Sequence, residues 1–93
     1  MKIEVCANSF YSAKIAQERG AFRVELCQEL RLDGLTPSAD LLEEVTTQLT
    51  IPVHVLIRPR EGDFTYSSRE LSQIEREIEM AKSHDISGIV VGH

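Results

Sequence analysis

Apolar and polar residues alternate over four short segments of the chain, and longer segments with helical spacing separate them. Alternation with a period of two is typical of a β-strand, because successive side chains point to opposite faces of a sheet. The third segment is apolar except for His54. The predicted strands are Lys2–Cys6, Phe22–Cys27, Ile51–Ile57 and Gly88–Val91.

Each gap between these strands begins with a helix-capping signal. A side-chain oxygen there can accept a hydrogen bond from a backbone N–H of the first turn, and proline fits the first helical position. Glycine favours the left-handed conformation that ends a helix. Ser9 is the predicted cap of a first helix over residues 10–19, which ends at Gly20. Thr36 with Pro37 is the predicted start of a second helix, whose apolar face carries Leu41, Leu42, Val45 and Leu49. Ser67 with Glu70 is the predicted start of a third helix, which ends near His84.

The resulting order is βαβαβαβ, which predicts an α/β fold with parallel strands and right-handed crossovers. No glycine-rich dinucleotide motif follows the first strand, where the chain reads Cys6-Ala7-Asn8-Ser9, and this disfavours a Rossmann fold. A small flavodoxin-like sheet remains the alternative to a barrel.

One face of each predicted strand is apolar, whereas the opposite face carries charged residues and cysteines. A barrel explains this pattern, because its outer face lies under helices and its inner face can hold a polar site near the C-terminal rim. A complete barrel has about 250 residues, so residues 1–93 are predicted to form the N-terminal half of a (β/α)8 TIM barrel, a single incomplete domain. The residues of the polar face are Glu4, Cys6, Glu25, Cys27, His54 and Arg58.

The net charge is −5, from 10 Lys and Arg against 15 Asp and Glu. This balance disfavours binding to nucleic acid or to an anionic membrane. The N-terminus lacks the long apolar stretch of a signal peptide, and two cysteines are too few for a secreted disulfide scaffold. A cytoplasmic protein is therefore expected.

Several motifs, in the same order along the chain, resemble the N-terminal portion of the CutC copper-homeostasis family. This resemblance implies a TIM barrel and a role in copper handling. Asp33 departs from the pattern, because that family usually has a second glycine before Gly34. The motifs are Glu4-Val5-Cys6, Arg23-Val24-Glu25-Leu26-Cys27, Gly34-Leu35-Thr36-Pro37-Ser38, Ile51-Pro52-Val53, Ile57-Arg58-Pro59-Arg60, Gly62-Asp63-Phe64 and Tyr66-Ser67.

Cys6 and Cys27 lie at the C-terminal ends of strands that should be neighbours, on the same face. Thiolates are soft ligands that select Cu(I) over hard cations, so the pair could hold Cu(I) in low coordination. Two other interpretations are open: buried cysteines that only fill space, or a disulfide formed under oxidation. The resemblance favours copper, since this pair matches the copper site proposed for the family.

The loop after the third strand carries a second candidate site. Arg58, Arg60 and Asp63 could bind a small anionic ligand at the barrel mouth, because guanidinium groups recognise carboxylate and phosphate. Glu25, Arg58 and Asp63 are then the catalytic candidates of an enzyme of unknown reaction, with Glu25 as general acid or base. The alternative is an internal network that pairs Glu25 with Arg58 and Asp63 with Arg60.

The three histidines are expected to be structural or solvated. His54 lies roughly 13 Å below the predicted rim at about 3.3 Å per residue, which favours a structural role, and His84 and His93 are expected in solvent. The first and fourth strands leave open sheet edges, so we also expect either a homo-oligomer or pairing through those edges, or a truncated product without activity of its own.

Overall fold

The computed structural model describes residues 2–91 and contains one sheet of four parallel strands in the order β1-β2-β3-β4, alternating with three helices. The strand order follows the chain without the reversal of a doubly wound sheet. This is the arrangement of part of a TIM barrel, as predicted. The elements are β1 Glu4–Ala7, α1 Phe10–Glu18, β2 Arg23–Leu26, a 3-10 turn Leu30–Leu32, α2 Ala39–Gln48, β3 Val53–Ile57, α3 Ser68–Lys82 and β4 Gly88–Val91.

The apolar face of the sheet packs under the helices and forms the core. The predicted division of strand residues between a core face and a polar face is confirmed for β2 and β3, whose alternate residues assigned to the core are buried. It fails at Ile3 on the apolar face of the first predicted strand, which is 53% exposed. The helices contribute small and branched apolar side chains to the same layer. The buried residues of this layer include Val24, Leu26, Val53, Val55 and Ile57 from the strands and Ala13, Ala16, Leu42, Val45, Ile74 and Ala81 from the helices.

Two of the three predicted helix starts are confirmed. Ser9 caps α1, and Ser67 caps α3 in a capping box with Glu70. Within residues 2–91, none of the helices has both the length and the apolar character needed to cross a membrane.

The predicted start of the second helix at Thr36 is wrong. Ser38 is the cap of α2, and its hydroxyl accepts a hydrogen bond from the Leu41 N–H at 3.1 Å. The Thr36 hydroxyl instead accepts the Arg58 N–H at 2.8 Å and donates to Glu77 at 2.7 Å. These partners lie 22 and 41 residues away along the chain, so the local pattern could not reveal them.

Gly20 ends α1 in a left-handed conformation with φ of 87°, as predicted. Asp33 also has a left-handed φ, of 66°, which glycine adopts at lower cost. This explains why glycine suits position 33.

The prediction that His84 is solvated is wrong. Its side chain is only 12% exposed and lies 3.2 Å from the Glu43 carboxylate, while Nδ1 is 3.0 Å from the Met80 carbonyl oxygen. The expectation for His93 concerns a residue outside the described range.

Candidate functional site

The polar face of the sheet brings side chains from three strands into one row. In the parallel register, Cys6 lies beside Glu25 and Glu25 lies beside His54 on the neighbouring strand. Glu4 lies beside Arg23, two residues nearer the N-terminal end of the strands. Because side chains alternate between the two faces of a strand, these residues share the face that the sequence assigned to the barrel interior.

The two cysteines occupy this face at the C-terminal end of the sheet. Cys6 lies within β1 and is exposed, whereas Cys27 directly follows β2 and is only 3% exposed. The Cys27 N–H donates to the Ala7 carbonyl oxygen at 3.0 Å, and its Sγ lies 3.8 Å from the same oxygen. Both cysteines are free thiols.

The register argues against a direct disulfide between them. Cys6 is opposite Glu25, so Cys27 is displaced along β2 by two residues. Two residues span about 6.6 Å along a strand and neighbouring strands lie about 4.8 Å apart, which puts the two Cα atoms roughly 8 Å apart. A disulfide rarely joins Cα atoms more than about 7 Å apart, so backbone movement would be needed.

Their surroundings keep both sulfurs protonated at neutral pH. Burial, and after it the negative charges of Cys6 and Glu25, raises the pKa of Cys27 to about 11. Burial, followed by the charges of Glu25 and Glu4, also raises the pKa of Cys6. A soft metal ion must therefore displace a proton from each thiol to bind here.

Two carboxyl groups lie near Cys6, and their pKa values are shifted in opposite directions. Arg23 donates from Nε to Glu4 at 2.6 Å, and this hydrogen bond lowers the pKa of Glu4. Glu25 Oε2 lies 4.0 Å from Cys6 Sγ, and burial, then the Glu4 carboxylate, raises the pKa of Glu25. Arg23 balances the charge of Glu4, so Glu25 is the carboxyl group beside the exposed sulfur whose ionised form can attract a cation.

Among the described residues, no group of three or more His, Cys, Asp and Glu side chains could hold a metal ion. His54 packs closely against Gly88, where an added Cβ would lie 2.9 Å from His54 Nε2. This contact agrees with the structural role expected for His54. On the polar face of the sheet, the soft donor atoms are the sulfurs of Cys6 and Cys27.

The loop after β3 holds its two arginines in different ways. The predicted pair between Arg60 and Asp63 is present at 3.4 Å, but Arg60 also forms an ion pair with Glu70 and donates to the Thr65 carbonyl oxygen at 2.8 Å. Arg60 and Asp63 thus fix the loop. The sequence showed Glu70 only as a capping residue, and its pairing with Arg60 joins positions that no local pattern connects.

The alternative pairing of Glu25 with Arg58 is absent from residues 2–91. Arg58 instead donates from Nη1 to the carbonyl oxygens of Leu32 and Gly34, at 2.6 and 3.2 Å, and from Nη2 to that of Gly62 at 3.1 Å. Arg58 thereby joins the loop after β2 to the loop after β3.

A cavity that the sequence did not indicate opens at the same end of the sheet. Its volume is about 410 Å³. Asn8 and Gln28, two of its lining residues, follow the cysteine-bearing ends of β1 and β2. The other lining residues are Glu29, Leu30 and Arg31.

A model of the CutC family matches residues 1–93. The "family protein CutC" of Pasteurella multocida is 45% identical over 92 residues, which cover 99% of this chain and 38% of the relative. The human "Copper homeostasis protein cutC homolog" is 46% identical over 90 residues, covering 97% of this chain and 33% of the relative. The chain therefore spans little more than a third of the length of these relatives.

A solved structure has the same fold. The crystal structure of the CutC protein from Streptococcus agalactiae superimposes with a TM-score of 0.90 and 33% sequence identity, over 99% of this chain and 46% of that one. The four strands and three helices thus match part of a larger protein.

Proposed function

Because the chain belongs to the CutC family, we propose that it serves copper homeostasis by binding Cu(I) between the thiolates of Cys6 and Cys27. The name of the human relative supports the role in copper homeostasis. The observation that carries the assignment to these residues is the location of both free thiols on one face, at the C-terminal end of neighbouring parallel strands.

The donor set suits Cu(I) better than other common metal ions. Thiolates prefer soft ions, which disfavours magnesium and calcium. Structural zinc sites use four ligands, and catalytic ones use three protein ligands. Residues 2–91 contain no cluster of three candidate ligand residues. Two sulfurs match the low coordination that Cu(I) accepts.

The two sulfurs have different tasks in this proposal. Cys6 is exposed and lies beside Glu25, so it meets an arriving cation first. Cys27 is buried and is held by its N–H bond to Ala7, so it supplies a fixed second ligand. Two unpaired thiols persist in a reducing compartment, and we therefore assign the activity to the cytoplasm.

An anaerobic Cu(I) titration against a competing chelator tests this proposal. The chain should bind about one equivalent, the stoichiometry of a single two-thiolate site. Cys6→Ser and Cys27→Ser should each abolish tight binding and leave at most weak binding by the remaining thiol, since a hydroxyl is a hard and poor ligand for Cu(I).

Met80→Leu is the matched control, because it also removes a sulfur atom but lies in α3 on the other side of the sheet from the thiols. It should leave the stoichiometry unchanged. Retention of one tightly bound equivalent in either cysteine variant would refute the two-thiolate site.

A further inference from the structure

Arg58 is an unusual arginine among those of the described residues. It is only 6% exposed, and it is the only charged residue of residues 2–91 that is buried. Arg23, Arg31 and Arg60 each contact a carboxylate group. No carboxylate within residues 2–91 forms an ion pair with Arg58, although a guanidinium keeps its charge in proteins. A buried charge normally has an oppositely charged partner.

The hydrogen bonds of Arg58 leave part of the guanidinium without a partner. A guanidinium has five N–H donors, of which three are used by the carbonyl oxygens of Leu32, Gly34 and Gly62. Nε is buried and has no hydrogen-bond partner. The donors of Arg58 that remain free are therefore the Nε–H and one N–H of Nη2. Nε and Nη2 lie along the same edge of the planar guanidinium.

The exposed side chain of Phe64 packs against this guanidinium. The Phe64 ring centroid lies 5.3 Å from Arg58 Cζ, a cation–π contact, and Phe64 is itself exposed in a loop whose residues 61–65 are all exposed. The π-face of the ring attracts the cation but carries no formal charge. Phe64 is not part of the hydrophobic core, so its ring can move and open one side of the guanidinium to a ligand without disturbing the core.

We infer that Arg58 binds a small oxyanion, a phosphate or a carboxylate, at the C-terminal end of β3. The planar edge of a guanidinium matches two oxygens of such a group, and the C-terminal ends of parallel strands are where barrels place their ligands. Binding would give the buried charge a counter-ion and Nε an acceptor. This site goes beyond the copper proposal and does not depend on it, since it uses neither cysteine.

The side chain of Arg58 can report on its own ligand by NMR. The Nε–H signals of the 93-residue chain are followed while inorganic phosphate, or separately acetate, replaces chloride at constant ionic strength. The Arg58 signal, assigned as the one lost in Arg58→Lys, should shift to a plateau with at least one of the two anions. Saturation with phosphate indicates a phosphate ligand, and saturation with acetate indicates a carboxylate ligand.

Arg60 supplies the internal control, because its Nε already donates to Glu70. Its signal should move little. A shift of Arg58 that stays linear, or that Arg60 shares to the same extent, would show only general ionic effects and would overturn the site.

Phe64→Ala tests the cover and leaves Arg58 intact. It should lower the anion concentration at half-saturation severalfold, because the anion no longer displaces the ring. An unchanged or higher half-saturation concentration in this variant would contradict the proposed place of binding.

Discussion

The apparent affinity for Cu(I) should rise about 100-fold for each pH unit between about pH 6 and 7.5. The pKa of Cys27 is raised to about 11 and that of Cys6 is raised above its ordinary value, so both thiols are protonated throughout this range. Binding as thiolates releases both protons, and each proton released contributes about tenfold per pH unit. Higher pH therefore favours binding.

A competition titration at several pH values, corrected for the protonation of the competing chelator, measures this slope. Cys27→Ser should leave at most weak binding with a slope of about tenfold per pH unit, since one thiol remains to lose a proton. An affinity of the unmodified chain that does not change with pH would mean that neither thiol is a ligand.

Gly34→Ala should lower the free energy of unfolding by about 1–3 kcal/mol more than Gly20→Ala does. Both substitutions strain the backbone, but only Gly34→Ala also overpacks the interior. Both glycines have left-handed φ, of 93° and 87°, so alanine strains the backbone at either position. A Cβ at Gly34 would lie 2.9 Å from Leu56 Cδ2 and 3.7 Å from Cys27 Sγ, whereas at Gly20 nothing lies within 4 Å.

Urea unfolding of the two variants gives the comparison, with Gly20→Ala as the matched control for backbone strain. Equal losses of unfolding free energy in the two variants would mean that the Leu56 side chain moves aside at no cost.

The fold could be predicted because its signals are local and agree with one another. The strand alternation that placed Glu25 and Cys27 on one face needs only the period of two, and the Ser67–Glu70 capping box needs only four residues. The start of α2 could not be predicted in the same way. Thr36 and Ser38 both flank Pro37, and the choice between them depends on contacts of Thr36 with distant residues.

The site could be predicted only in part. The alternation of side chains along each strand placed both cysteines on the inner face. Only the strand register shows that Cys6 lies beside Glu25 and diagonally from Cys27. The partners of Arg58 are backbone carbonyl oxygens from two loops, and carbonyl groups leave no signature in a sequence. Of the two charge pairs predicted for this site, Glu25 with Arg58 and Asp63 with Arg60, only the second is present among the described residues, and its members are three residues apart.

X-ray absorption at the copper edge of the Cu(I)-loaded chain tests the two-thiolate site most directly. A two-thiolate site gives a nearest shell of two sulfur atoms, from Cys6 and Cys27, with no nitrogen or oxygen neighbour. A shell that contains imidazole nitrogen, which His54 would supply, or carboxylate oxygen, which Glu25 would supply, would contradict it.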